Sequence, residues 1–176
     1  MSTTIDIREI KRSENQFLGE LMVDVYSKLE GFPSPTEQPV YYKMLSNIGR
    51  LNEQDHMSVL VAESSNNEIV GGVVYYSDMS MYGSGGSATQ EKNASGIRLL
   101  CVDPKSRGLG VGKALSNECI RLAKADGSNQ VILHTTQAME VAWSLYTKLG
   151  FERSTDLDFS QEELPVFGFR LRLDDG

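Results

Sequence analysis

Hydrophobic and polar positions along the chain repeat with two different periods, which divide its first third into a strand and two helices. Residues 4–8 alternate polar and β-branched side chains, which predicts a half-buried first strand. Apolar residues recur at helical spacing over 14–29, where Ser13 and Gln16 have the spacing of a capping box. The segment 31–33 ends this helix at a proline, and a second apolar helical period covers 40–48.

The pattern then changes to strands and afterwards alternates between strands and helices. A turn-forming cluster over 64–68 separates two β-rich runs, which predicts a hairpin. Residues 79–93 are rich in glycine and show no apolar period, so a mobile loop is expected there. The remaining predicted elements are strands over 58–63, 69–76, 97–102, 130–135, 151–155 and 166–173, and helices over 110–125 and 138–149. This order predicts an α/β chain.

Composition and charge narrow the class of protein. The chain has 176 residues, 40% of them hydrophobic and 23% charged, which is typical of one soluble globular domain over 1–176. Its 17 basic residues against 24 acidic ones give a net charge of −7, which argues against a nucleic-acid partner. The sequence has neither a secretion signal nor an apolar run of the ~20 residues that a membrane span needs, so a cytoplasmic location is expected. Two cysteines and two histidines without metal-ligand spacing predict no metal.

The segment with the clearest chemical signal joins a predicted strand to a predicted helix. Gly108, Gly110 and Gly112 alternate there, and Arg107 precedes them. Glycines at such a turn allow backbone N–H groups to converge, and the helix N-terminus adds partial positive charge, so the arrangement suits a phosphate or pyrophosphate. Alternating glycines also serve ordinary tight turns, and the spacing differs from that of a dinucleotide-binding fingerprint.

Two motifs in the same order resemble a known family. Arg107-x-x-Gly110-x-Gly112 resembles the pyrophosphate-binding motif of the GCN5-related N-acetyltransferases, and residues 142–151, which end in Gly-Phe, resemble that family's second signature. The strand over 97–104 also fits, so the close resemblance covers 97–153. It implies an α/β (α+β) acyl-CoA N-acyltransferase fold: a mixed, mostly antiparallel sheet of about seven strands with about four helices, and a splayed strand pair where the pantetheine arm enters.

The resemblance also implies site residues and a co-substrate, acetyl-CoA. Tyr146 matches the tyrosine that protonates the departing thiolate. The alternative is an aromatic core residue on an amphipathic helix. Cys101 and Cys119 are interpreted as small hydrophobic residues rather than nucleophiles. The positions that match the pantetheine-binding strand are Leu100, Cys101 and Val102, and those that match the pyrophosphate loop are Arg107, Gly108, Leu109, Gly110, Val111 and Gly112.

Two positions depart from the family pattern. Gly96 stands where many members have a glutamate that deprotonates the amine, and Met139 stands where members often have an asparagine. Thr135, Thr136 or Gln137 are candidates to replace that asparagine. An amine that arrives neutral needs only proximity and a route for its proton.

The acceptor is expected to be a primary amine bound by the segments 30–42, 75–93 and 156–163. The candidate lining residues are Tyr41, Tyr42, Tyr75, Tyr76, Asp78, Asp156 and Asp158; His56 and His134 are given no role. Three functions follow: an N-acetyltransferase, an acyl-CoA-binding module of the same fold with little catalysis, and an unrelated nucleotide-binding domain. The open edges of a single sheet are also compatible with a homodimer.

Overall fold

The residues that the structure describes form a mixed, mostly antiparallel sheet of eight strands with four α-helices. The computed structural model describes residues 4–82, 86–136, 139–161 and 164–173. The strand order is β1-β2-β3-β4-β5-β8-β6, and β7 pairs with β8. The strands are β1 Ile5–Glu9, β2 Met57–Ser64, β3 Ile69–Tyr76, β4 Ala94–Val102, β5 Gln130–Thr135, β6 Glu152–Arg153, β7 Phe159–Gln161 and β8 Leu164–Arg172, and the helices are α1 Asn15–Ser27, α2 Pro39–Ser46, α3 Val111–Ala125 and α4 Glu140–Lys148.

The chain divides into two compact units. The first comprises Met1–Val74 and Leu99–Glu118, and the second comprises Tyr75–Arg98 and Cys119–Gly176. The single domain expected over 1–176 stays a prediction. Among the described helices, none has both the length and the apolar character that a membrane span requires.

In the first unit, an ion pair between Arg8 and Glu14 supports the 3-10 turn that precedes α1. β1 pairs antiparallel with β2, and a 3-10 turn over Arg12–Glu14 precedes the helix. The Glu14 carboxylate accepts the Lys11 N–H at 2.8 Å and pairs with Arg8 at 2.7 Å. The prediction of a capping box by Ser13 and Gln16 is wrong, because the N-cap of α1 is Glu14 and its side chain makes no cap hydrogen bond to α1. The Glu14 carboxylate caps the preceding 3-10 turn instead, where Arg8 from β1 orients it.

In the second unit, β5 and β8 form the centre. β5 runs parallel to β4 over Ala94–Ile97 and antiparallel to β8, which also pairs with β6 and β7. The strand predicted over 151–155 is shortened to β6, and β7 was not predicted. Trp143 of α4 packs edge-to-face on Phe167 and Phe169 of β8, at centroid distances of 5.3 and 5.4 Å.

The segment after β3 differs from the expected loop. Two short 3-10 turns, over Met79–Met81 and Ala88–Gln90, lie within it. Met79, Tyr82 and Ala88 are buried, although they follow no period that a sequence pattern could reveal. The segment expected to be a mobile loop therefore contributes residues to the core; its residues 83–85 lie outside the described part of the chain.

Candidate functional site

The glycine-rich turn of the first unit has the conformation that its glycines permit. The Asp103 carboxylate accepts the Lys105 N–H at 3.0 Å and starts a 3-10 turn over Pro104–Ser106. Gly108 and Gly110 then adopt φ of 83° and 80°, the left-handed region that side chains with a Cβ avoid. A Cβ added at either glycine would meet no atom within 4 Å. Backbone conformation, rather than packing, therefore requires both glycines, and their outer side is open.

The first turn of α3 presents N–H groups without helical partners. The first intrahelical hydrogen bond runs from the Ala114 N–H to the Gly110 carbonyl at 3.0 Å. The four amides from Gly110 to Lys113 therefore precede the hydrogen-bonded ladder, and the helix dipole makes this end positive. By contrast, the Arg107 and Leu109 N–H groups donate within the turn, at 3.5 and 3.3 Å.

The end of β4 presents two residues to the edge that does not face β3. The Asp103 N–H donates to the Val70 carbonyl of β3 at 2.8 Å. Since successive residues of a strand direct their N–H and C=O groups to opposite edges, Val102 and Leu100 use the other edge, and Cys101 faces β3. At that other edge the Tyr26 hydroxyl donates to the Leu100 carbonyl at 2.8 Å.

Cys101 is a packing residue. Its side chain is buried, and burial raises the pKa of its thiol to about 12, with the Asp103 charge acting in the same direction. A thiol of that pKa is almost entirely protonated near neutral pH and is a poor nucleophile.

Tyr146 lies in the second unit, on α4. Its ring is buried and packs edge-to-face on Phe151 at 5.7 Å. Burial raises the pKa of its phenol, with the neighbouring Cys119 as a smaller cause. The hydroxyl therefore keeps its proton at neutral pH, which a proton donor requires.

A cluster that sequence reasoning missed lies around Gly96 in the same unit. A Cβ at Gly96 would stand 2.4 Å from the Tyr82 ring and 2.8 Å from the Met79 sulfur. The Tyr82 hydroxyl lies 3.1 Å from His134 Nδ1, and the Leu157 carbonyl lies 2.9 Å from His134 Nε2, so the imidazole carries its proton on Nε2 and accepts from Tyr82. Burial lowers the pKa of His134, which keeps the ring neutral. No pattern within the segment 79–93 signalled Tyr82.

The proposed acceptor residues of the second unit have partners inside the protein. Tyr75 and Tyr76 are buried, and the Tyr75 hydroxyl donates to Asp126 at 2.6 Å. Asp156 pairs with Arg170 at 2.6 Å, and Asp158 pairs with Arg153 at 2.8 Å. These two carboxylates are therefore neutralised, which leaves little charge to attract a cationic amine.

The other acceptor candidates are Tyr41, Tyr42 and Asp78. In the first unit the Tyr42 hydroxyl donates to the Pro33 carbonyl at 2.6 Å, and Tyr41 stacks at right angles on Tyr42. Asp78 lines an open cavity of about 670 Å³ in the second unit, together with Glu91 and Asp126. Within the described residues, no group of His, Cys, Asp and Glu side chains is arranged to hold a metal.

Comparison with known proteins gives a family match that extends beyond the two motifs. A model of the acetyltransferase (GNAT) family matches residues 20–151. N-acetylaspartate synthetase of Danio rerio is 36% identical over 64 residues, which are 36% of this chain and 23% of that protein. Mycothiol acetyltransferase of Stackebrandtia nassauensis is 31% identical over 109 residues, which are 61% of this chain and 33% of that protein. The matches therefore span a third or less of these relatives' own lengths.

Solved structures share the fold over nearly the whole chain. An acetyltransferase of the GNAT family from Staphylococcus aureus Mu50 superposes with a TM-score of 0.74 at 21% identity, over 97% of this chain and 100% of that one. The PaiA N-acetyltransferase from Thermoplasma acidophilum, solved in complex with coenzyme A, gives 0.72 at 16% identity, over 96% and 99% of the two chains. The family model covers most of the chain and the superpositions support the same fold, so this chain belongs to the acetyltransferase (GNAT) family.

Proposed function

We propose that this chain is an N-acetyltransferase that moves the acetyl group of acetyl-CoA directly to a primary amine of a small molecule or peptide. The observation that carries the proposal is the turn before α3. Gly108 and Gly110 hold positive φ beside open space, directly ahead of amides that have no helical partner. A backbone that exposes donors in this way suits a pyrophosphate.

The contacts to acetyl-CoA are divided between the turn and β4. Since the Arg107 and Leu109 N–H groups donate within the turn, the Arg107 side chain and the remaining amides are the better donors to pyrophosphate. Along β4, Leu100 and Val102 are the better candidates for backbone pairing with the pantetheine arm, because Cys101 faces β3. The proposed pyrophosphate donors are Arg107, Gly108, Gly110, Val111 and Gly112.

The proposed chemistry uses few groups of the chain. Acetyl-CoA supplies an activated thioester. A backbone N–H of Leu100 or Val102 polarises the thioester carbonyl, and the neutral amine attacks the carbonyl carbon. The C–S bond breaks as the Tyr146 hydroxyl donates its proton to the departing sulfur. The nitrogen loses its surplus proton through water, and water returns a proton to Tyr146. With Gly96 at the usual position of the base, the amine must arrive neutral.

The printed names of similar proteins support nitrogen as the acceptor atom. They include N-acetylaspartate synthetase and a ribosomal-protein-alanine N-acetyltransferase from Brucella melitensis, the latter superposing with a TM-score of 0.68 at 20% identity. Each of these names describes an N-acetylation. For this chain, the identity of the amine depends on its own acceptor-facing residues.

Thermal unfolding with and without acetyl-CoA tests the cofactor site. A ligand bound only by the native state at ~100 times its Kd adds about 2.7 kcal/mol, and at roughly 2 to 4 °C per kcal/mol the expected rise in Tm is about 5 to 10 °C. Gly110→Val should abolish the rise. Gly127→Val is the matched control, because Gly127 also has φ of 80° and open space beside it but lies outside the turn.

A second measurement distinguishes binding of acetyl-CoA from transfer of its acetyl group. The protein is incubated with acetyl-CoA and each of a panel of primary amines, and release of the CoA thiol is measured. A rise in Tm without thiol release from any amine would favour the acyl-CoA-binding module over an enzyme. No rise in Tm with acetyl-CoA would contradict both and favour the nucleotide-binding alternative.

A further inference from the structure

Arg98 is a half-buried arginine of β4 whose charge is balanced by no carboxylate in the part of the chain that the structure describes. The other partly buried arginines of the second unit differ in this respect. Arg153 pairs with Asp158, and Arg170 pairs with Glu91 at 2.7 Å as well as with Asp156. A guanidinium held partly away from water is unfavourable without an anionic partner. An anionic group of a ligand is therefore a candidate partner for Arg98.

The Arg98 guanidinium is held in place by neutral groups. Nη1 donates to the Tyr82 carbonyl at 2.9 Å, and the guanidinium carbon lies 5.7 Å from the centre of the Tyr82 ring. Tyr82 is fixed in turn, because its hydroxyl lies near His134 and 3.3 Å from the Ile97 carbonyl. The Tyr76 phenol is close enough that the charge of Arg98 opposes the rise of its pKa on burial. The Tyr76 phenol is also a hydrogen-bond partner of Arg98. A guanidinium has five N–H donors, so these two neutral partners do not use all of them.

The position of Arg98 connects it with the proposed reaction. Arg98 and Gly96 lie two residues apart on β4, and both meet the Tyr82 ring, so they share a face of the strand. The Tyr82 and Tyr146 phenols are in turn close enough to influence each other electrostatically. Arg98 therefore lies beside the position of the usual base and contacts the ring whose phenol is influenced by that of the proposed proton donor.

We infer that Arg98 binds a carboxylate of the acceptor, so that the amine acetylated by this chain belongs to the amino-acid class. This inference rests on the proposed function. A guanidinium near the amine also favours its neutral form, because like charges disfavour the ammonium. That effect fits a site in which Gly96 replaces the carboxylate base.

Pairs of acceptors that differ only in the carboxylate test the inference. The probes are the standard α-amino acids and their α-amides, with thiol release measured as kcat/KM. For at least one amino acid the acid should exceed its amide by about 10- to 100-fold, the usual effect of a hydrogen bond to a charged group. Arg98→Gln should raise KM for the acid, so that the kcat/KM values for acid and amide differ by no more than about threefold. Arg98→Lys should retain part of the preference for the acid. Arg172→Gln, which removes an exposed arginine of β8, should leave the preference unchanged.

Three results would overturn the inference. The first is that the wild-type protein uses amides or simple alkylamines as well as acids, a comparison that needs no variant to fold. The second is that Arg98→Gln lowers kcat/KM equally for acid and amide, which indicates that Arg98 only supports Tyr82. The third is that the variant loses the acetyl-CoA-induced rise in Tm, which indicates that Arg98 faces an anionic group of the cofactor. Thiol release with amines that lack a carboxylate contradicts only this inference, whereas no binding and no release with any amine contradict the proposed function itself.

Discussion

Gly96 packs so tightly against Tyr82 that alanine at position 96 should destabilise the protein, whereas alanine in place of a strand glycine usually stabilises it. Alanine is usually better than glycine inside a strand by about 0.5–1 kcal/mol. At position 96 an added Cβ would stand 2.4 and 2.6 Å from two carbons of the Tyr82 ring and 2.8 Å from the Met79 sulfur. Such distances require the neighbours to move, and Tyr82 is fully buried and hydrogen-bonded to His134.

Gly96→Ala should therefore lower the free energy of unfolding by about 1–3 kcal/mol, the usual cost of overpacking a core. Tyr82→Ala should be destabilising by itself, by about 3–5 kcal/mol. In the Tyr82→Ala background, however, the alanine at position 96 should cost little, because the ring that it meets is gone. The coupling free energy of the two substitutions is expected to be about 1–3 kcal/mol.

The double-mutant cycle compares the wild type, the two single variants and the double variant by urea unfolding, followed by circular dichroism. The dependence of the unfolding free energy on urea concentration should be equal in all four proteins, since only stability is expected to change. The reasoning is refuted if Gly96→Ala is as stable as the wild type, or if it costs the same in both backgrounds. Gly127→Ala adds a Cβ in open space at φ of 80°, so it measures the cost of backbone strain without any overpacking.

Other predictions concern the proton donor, the ion pairs and the buried thiol. Tyr146→Phe keeps the packing and removes the proton, so kcat should fall by about 10²- to 10⁴-fold while the acetyl-CoA-induced rise in Tm persists; an unchanged kcat would contradict the assignment. The Arg153 guanidinium holds the pKa of Asp158 below its usual range, so the native state binds fewer protons than the unfolded one. The stability from this pair is thus present above the unfolded pKa of about 3.9 and lost as pH falls through the folded pKa. Asp158→Asn should therefore cost up to about 1 kcal/mol at pH 7 and less at pH 3 in urea unfolding, and an equal cost at both pH values would exclude this linkage. With a pKa of about 12, Cys101 should be alkylated at pH 8 roughly a thousandfold more slowly in the native protein than in urea, where the thiol pKa is near 8.5; rapid native labelling found by mass spectrometry would show that the thiol is accessible.

The helices, strands and turns that depend only on neighbouring residues could be predicted from the sequence. The helical period of α3 and the β-rich runs of β2, β3 and β5 predicted elements that the structure confirms to within a few residues. The turn before α3 belongs to the same class, because a positive φ at Gly108 and Gly110 is a property of the local backbone. The family resemblance over 97–153 was also local, and the family match confirms it.

Which side chains are buried and which charged groups form ion pairs could not be predicted in this way. The Tyr82 hydroxyl meets His134, 52 positions away, and the Glu14 carboxylate that caps the 3-10 turn before α1 is paired with Arg8 in β1. From the sequence, Asp156 and Asp158 are either residues that attract an amine or ordinary surface charges, and only the structure shows that arginines of β6 and β8 neutralise them.

The sequence by itself therefore determined the family, most of the strands and helices, and the turn proposed to bind pyrophosphate, because backbone conformation follows from neighbouring residues. Only the tertiary structure decided which charges are balanced and which space is filled, because those properties belong to side chains that meet from distant parts of the chain. Gly96 illustrates the difference: in the sequence it is a missing glutamate, and in the structure it is the space that the Tyr82 ring occupies beside Arg98.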